Sequence, residues 1–534
     1  MKGLLWHTHS RVPRPVCGGT GAGKSADAAR RSAWATIAVL LIAGIAAAQT
    51  NPAAMAARQW REAHERAIVD EYIALLSIPN IASDRENIQR NAELIAKMLE
   101  KRGVTPKLVS IPGSNPVVFG EIKAPGATRT IVFYAHYDGQ PLDPKEWTTP
   151  PFQPVLRDKS LDKDGRVIPL PAAHFDPESR IYARSAGDDK LGVFQMIVAL
   201  DAIRAAGIKM KSNIKFVFEG EEEAGSINLG KILAANKQLF TADAWLICDG
   251  PVHQTGRQQL TFGARGITTV DITLYGPRRE LHSGHYGNWA PNPAMMLARL
   301  LASMKDENGR VLVDHFYDDV APLSATERRA IDDAPDTDAQ LMRELWLGST
   351  ENPSMKLMDL INRPSLNVRG MASARIAGGG ASNVVPSTAT ATIDMRLVKG
   401  MDHARTAQRL IDHIRAQGYF VADHDPNPEE RTSHPRVAKV TIEEGGYNAV
   451  RTSMDLPFSQ EIIHSTTSAR GPTVLLPTSG GSDPRDIVER TLAPIVTLGV
   501  PTANYDDNQH TFNENLRIQN LWDGIELMAA LLVM

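Results

Sequence analysis

Three short apolar runs in this chain end in polar residues of one chemical kind, and that repetition limits the folds open to it. Ile131-Val-Phe-Tyr-Ala-His-Tyr-Asp138 closes on a histidine and an aspartate two residues apart. Asn213-Ile-Lys-Phe-Val-Phe218 runs into Glu219-Gly-Glu-Glu-Glu223, and Ala242-Asp-Ala-Trp-Leu-Ile-Cys248 runs into Asp249-Gly250. Apolar runs of this length, rich in β-branched and aromatic residues, read as buried strands. Side chains two apart on a strand share a face, so His136 and Asp138 point the same way. Between the runs lie helical patterns at 91–102, stopped by Gly103, and at 191–206. Strands alternating with helices imply an α/β fold on a mostly parallel mixed sheet flanked by helices. Such sheets bind ligands at the carboxyl ends of their strands.

Taken singly, each polar group has an ordinary explanation. A histidine and an aspartate can cap a strand. Asp188, at the start of the second helical pattern, is a favoured N-cap. The glutamates can form a solvated loop, although like charges so close raise each other's pKa unless cations neutralise them. Convergence on one sheet edge outweighs these separate readings, because it gathers a histidine and several carboxylates, the ligand types of a divalent-metal site. Only two cysteines are present, Cys17 and Cys248, so neither a disulfide framework nor a thiolate zinc site is available. At 534 residues the chain exceeds one ordinary core. With 58 Lys+Arg against 61 Asp+Glu, the net charge of −3 provides no field to recruit nucleic acid.

Before this region, Gly18-Gly-Thr-Gly-Ala-Gly23-Lys24-Ser25 matches the letters of a phosphate-binding loop. That loop requires a buried strand before it, and the preceding residues are rich in His, Arg and Pro instead, so the match is read as accidental. Arg30-Arg31 then precede a small, apolar run over 32–48 that ends in Ala46-Ala47-Ala48. A positive segment, a short apolar core and small residues at a cleavage point describe a secretory signal. The run is shorter than the roughly 20 residues of a membrane span. The expectation is cleavage near Ala48, export to the periplasm or outside the cell, and no stable membrane span afterwards.

Six stretches in order, from about residue 60 to the C-terminus, carry a family resemblance. They are Tyr134-Ala-His-Tyr-Asp-Gly-Gln-Pro141, Arg184-Ser-Ala-Gly-Asp-Asp-Lys190, Glu219-Gly-Glu-Glu-Glu-Ala-Gly-Ser226, Leu281-His-Ser-Gly284, Arg396-Leu-Val398 and His510. Together they resemble the di-zinc exopeptidases that include carnosine dipeptidases, acetylornithine deacetylase and succinyl-diaminopimelate desuccinylase, with the carnosinase-like branch the nearest. The resemblance implies that His136 and Asp249 bind one zinc, Glu223 and His510 the other, and Asp188 bridges both. It makes Glu222 the general base and Asp138 the residue that steadies His136. Two Zn²⁺ per subunit are implied, with Mn²⁺ or Co²⁺ as substitutes.

The resemblance also implies a smaller α/β lid or dimerisation domain over 267–449, inserted between catalytic portions 49–266 and 450–534. His282, which sequence alone reads as a turn residue, would stabilise the oxyanion, reaching a neighbouring subunit's site in a homodimer. Asn383, Arg396 and Ser482 match substrate-contacting positions, although Arg396 also fits a solvent-facing strand. Asp483-Pro484 departs from the family pattern, where an apolar residue precedes the proline. The expected activity is hydrolysis of the amide bond of dipeptides or short peptides by metal-activated water. An N-acyl amino acid deacylase of the same fold and a catalytically inactive binding protein are the alternatives.

Overall fold

The computed structural model describes residues 50–374, 382–481 and 483–534. The N-terminal stretch that carries the phosphate-loop letters and the expected signal, together with Ser482, lies outside the described residues. Thirteen strands form the two large sheets. In chain order they are β1 (Pro106–Val109), β2 (Val117–Ile122), β3 (Thr130–His136), β4 (Asn213–Glu219), β5 (Ala244–Ile247), β6 (Gln259–Thr261), β7 (Gly266–Tyr275), β8 (Ser365–Ala372), β9 (Thr388–Leu397), β10 (Phe420–Ala422), β11 (Val437–Ile442), β12 (Val474–Leu476) and β13 (Val496–Gly499).

An eight-stranded mixed sheet has the order β1-β2-β4-β3-β5-β13-β6-β12. Its four central strands, β4, β3, β5 and β13, are mutually parallel. Register pairs His136 with Glu219 and Tyr134 with Ile247, so these strands finish side by side. Strand β3 is buried on both faces, as expected inside a parallel sheet. Ile131, Phe133 and Ala135 join one core layer, while Val132 and Tyr134 join the layer on the opposite face.

Three helices dominate the first layer: α1 (Pro52–Glu62), α2 (Lys190–Ala205) and α3 (Ile518–Leu532). Helix α1 starts where Asn51 Oδ1 accepts the Ala53 and Ala54 amides, with Pro52 at the first helical position. Arg58 and Arg61 of α1 reach Glu526 of α3 at 2.9 and 3.3 Å. Leu229, Ile232 and Leu233 with Val488 and Leu492 fill the other face.

The second sheet, β8-β9-β7-β11-β10, draws all its strands from 266–442 and packs its own core. Along β7, buried Val270, Ile272 and Leu274 alternate with half-buried Asp271 and Thr273, the pattern of a sheet covered on one face. Leu297 and Leu300 from one helix, with Leu410 and Ile414 from another, cover it.

Helices α2 and α3 meet at a glycine. A Cβ on Gly524 would fall 2.0 Å from Gln195 Nε2. Gln195 cannot easily withdraw, because it donates to Asn520 O at 2.9 Å and accepts from the Thr502 hydroxyl at 2.7 Å. Gly524→Ala is expected to cost about 1–3 kcal/mol through overpacking, read as a lowered denaturant midpoint at unchanged slope. A midpoint equal to that of the parent would contradict this packing account.

Candidate metal centre

Each central parallel strand hands its chain to a polar loop at the same sheet edge. Strand β3 ends on His136, with Asp138 just beyond; past β4 come Glu222 and Glu223; past β5 comes Asp249; past β13 the chain continues to His510. Asp188 lies one residue before the N-cap of α2, whose cap is Asp189. Five of these side chains form two groups of three. His136, Asp188 and Asp249 are one; Asp188, Glu223 and His510 are the other. Within each group, one nitrogen or oxygen per residue lies within 4.8 Å of the others.

Asp188 belongs to both groups and divides its oxygens between them. Oδ1 lies 3.0 Å from His136 Nε2, and Oδ2 lies 3.1 Å from His510 Nε2. Glu223 Oε2 is 3.5 Å from His510 Nε2, and Asp249 Oδ2 is 3.9 Å from His136 Nε2. Glu222 stands outside both groups, its Oε2 3.9 Å from His136 Nε2.

The four glutamates at the end of β4 and just beyond it separate by direction. Glu219 is buried, where it accepts the Tyr134 hydroxyl at 2.6 Å. Glu221 accepts the Asn115 amide at 2.6 Å and the Asn228 side chain at 2.9 Å. These two brace the loop, which leaves Glu222 and Glu223 for the centre.

Asp138 does more than steady His136. Its Oδ1 accepts the Glu222 amide at 3.0 Å and its Oδ2 the Glu223 amide at 2.9 Å. His136 Nδ1 lies 3.1 Å from the Asp138 carbonyl and 3.4 Å from Oδ1. A single buried carboxylate therefore ties the strand carrying His136 to the loop carrying both glutamates. Three further residues, which motif reading passed over, act in the same way. Glu514 accepts the amides of Ser185, Gly187 and Asp188 at 2.8, 2.9 and 3.0 Å, and pairs with Arg184 at 2.7 Å. Asp189 accepts the His136 amide at 3.2 Å. Gln140 donates to Glu223 Oε2 at 2.6 Å. Their only sequence signal was closeness to a ligand motif.

The electrostatics suit bound cations. Burial, aided by neighbouring carboxylates, pushes Glu222 well above the usual range. Burial and then the Asp188 charge push Glu223 and Asp249 up to about 7. Asp188 moves the other way: burial would raise it, but hydrogen bonds with His136 and His510 outweigh that and hold it low. The bond to Asp188 lifts His510 to about 9. The cluster thus holds more carboxylate than its two histidines can balance, the condition under which divalent cations are retained. Nitrogen and oxygen donors without thiolate fit Zn²⁺ or Mn²⁺.

A cleft of about 870 Å³ opens over the centre, lined by Asp188, Glu222, Asp249 and His510 and also by Arg396, Asp483 and the Ser479–Gly481 turn. Arg396 lies 3.8 Å from Asp394. His282 and Asn383 do not line this cleft. His282 is exposed and its Nδ1 accepts the Gly284 amide at 3.0 Å. Exposed Asn383 accepts the Ser283 amide through its carbonyl at 2.8 Å, so the two residues share one short ribbon.

Among relatives, the Cys-Gly metallodipeptidase DUG1 of Saccharomyces cerevisiae is 26% identical over 86% of this chain and 93% of its own length. The human Beta-Ala-His dipeptidase is 25% identical over 93% of this chain and 96% of its own. The M20 metallo-carboxypeptidase Sso-CP2 from Sulfolobus solfataricus superposes with a TM-score of 0.70 at 26% identity, covering 87% of this chain and 98% of that one. The expectation of export is corrected by these comparisons: the relatives, the yeast Cys-Gly metallodipeptidases among them, give export no support. Among the described residues no helix is long and apolar enough to cross a membrane. The pattern of peptidase family M20/M25/M40 matches residues 132–534. The chain belongs to that family and is a metallohydrolase.

Proposed function

We propose that this chain is a dipeptidase that works with a dinuclear metal, as the M20 family does, and that the metal is zinc, with Mn²⁺ or Co²⁺ as substitutes. The observation that carries the reading is the pair of ligand groups sharing Asp188, with Glu222 beside them and in neither. His136, Asp188 and Asp249 would hold one ion, and Asp188, Glu223 and His510 the other. When bound, the ions polarise the substrate carbonyl and acidify water.

Glu222 is the general base. Beside His136 and outside both ligand groups, it is placed to take a proton from the attacking water and pass it to the departing amine. Asp138 fixes where that carboxylate stands by holding its backbone amide. Arg396, on β9 in the cleft wall, offers a planar fork for a substrate carboxylate. The family resemblance assigns Ser482 to the same end of the substrate.

His282 and Asn383 sit together on an exposed ribbon away from the cleft. This supports a homodimer in which the segment 267–449 acts as a lid and presents both residues to a neighbouring subunit's cleft, where His282 would meet the oxyanion. The dipeptide substrates in the names of the yeast and human relatives support the substrate class.

Glu222→Gln is expected to lower kcat on dipeptides about 10²–10⁴-fold while two metal ions per chain remain by elemental analysis. Equal turnover by parent and variant would sink the mechanism. Selective release of acyl groups from N-acyl amino acids, with dipeptides untouched, would reassign the chain as a deacylase. Glu514→Gln removes the acceptor charge behind Asp188 and should weaken metal retention about 10–100-fold in chelator competition. Unchanged retention would show that the loop holds its shape without Glu514.

A further inference from the structure

Beside the metal cleft lies a second cavity, of about 210 Å³, to which no step above assigns a task. Val252, Ile331, Ala334, Leu357, Met358 and Ile361 give it an apolar lining. Asp336 and Lys356 pair at 3.2 Å, and both are about half exposed, which places that charged pair at the rim. The cavity adjoins the catalytic cleft, because Pro251, Gln259, Leu476 and Tyr505 line both. One wall belongs to the loop that begins at Asp249, and the opposite wall to the segment 331–361. The two are clasped where the Thr337 hydroxyl donates to Gln254 Oε1 at 2.7 Å.

The wall also contains a polar group without a partner. His253 is 4% exposed, and its Nδ1 accepts the Thr255 amide at 3.2 Å, which leaves the ring proton on Nε2. Burial, with Arg257 nearby, lowers its pKa and keeps the ring neutral. Nε2 finds no hydrogen-bond partner among the described residues. Nε2 is itself closed off from solvent, so what the cavity offers a ligand is its apolar lining with polar residues at the margin, the usual composition of a site for an organic side chain.

We infer that this cavity is a specificity subsite that receives a large apolar group next to the scissile amide, so that the enzyme prefers dipeptides carrying a leucine- or phenylalanine-sized residue. The inference rests on the dipeptidase reading and deepens it. An apolar acyl chain presents the same chemistry as an apolar side chain, and the test separates the two sources. A charged or very small residue would leave the cavity unfilled and gain nothing from it.

Two variants change the cavity in opposite senses: Ala334→Trp fills it and Met358→Ala enlarges it. Neither residue belongs to the metal centre. The measurement is kcat/KM for Gly-Gly, Leu-Gly, Gly-Leu, Phe-Gly, Gly-Phe and N-octanoylglycine with the metal-loaded enzyme. The parent should favour the Leu and Phe dipeptides over Gly-Gly by about tenfold or more. Ala334→Trp should remove that preference and leave Gly-Gly within about twofold, while Met358→Ala should shift preference toward the larger ring. A parallel calorimetric titration of the same compounds into Glu222→Gln, with and without Ala334→Trp, reads the cavity without turnover. Retained discrimination in that titration, beside a parent that cleaves only N-octanoylglycine, keeps the subsite and removes the dipeptidase reading. Equal binding of Gly-Gly and the Phe dipeptides, or an equal loss for every compound on filling, overturns the subsite.

Discussion

Backbone amides donating to buried carboxylates hold this centre together. Asp138 receives the amides of Glu222 and Glu223, Glu514 those of Ser185, Gly187 and Asp188, and Asp189 those of His136 and Gly192. None of these three carboxylates belongs to a ligand group, yet each fixes the backbone of a residue that does or that stands beside one. Charge-assisted bonds of this kind are roughly twice as strong as neutral ones and tolerate little rotation. Ligand positions are therefore set by backbone, before any side-chain rotamer is chosen.

The arrangement concentrates negative charge where water is scarce. Asp138, Asp188, Asp189 and Glu514 are all nearly inaccessible. Among the described residues only Glu514 of these four has an arginine in direct contact, and breaking that buried pair would strand a charge at a cost of about 3–5 kcal/mol. Folding can bear such crowding because each carboxylate finds amides or imidazole, and because cations complete the balance. Metal binding and folding are thus coupled in one site, with the scaffold supplying the directions and the ions the charge.

How far the centre can be read from the chain follows from sheet geometry. His136, Glu222, Glu223 and Asp249 follow apolar runs that become neighbouring parallel strands, so their meeting is a consequence of strand order. Asp188 and His510 needed the family motifs, because a helix start and a long loop carry no periodicity that points to a site. Which two of the four glutamates turn inward also needed the family motifs, since a strand's alternation ends with its last paired residue. Glu514 was hidden because its partners are amides, which leave no mark in side-chain patterns. The ribbon carrying His282 and Asn383 was out of reach for another reason: its exposure within one subunit depends on the path of 281–284 against 383–385, a long-range pairing.

The clasp between α1 and Glu526 of α3 bears on how the protein is made. The arginines of 58 and 61 wait for a partner more than 460 residues downstream. Strand β13, which completes the parallel core, and His510 also come late. During synthesis the first group of ligands is present once Asp249 emerges, while the second is still missing a member. Contacts that span the whole chain close slowly, because the loop entropy is met before the contacts repay it. A ribosome-bound chain accordingly carries an open sheet edge and an unbraced Asp188, and both candidate ligand groups are complete only once Glu514 and His510 have joined the fold.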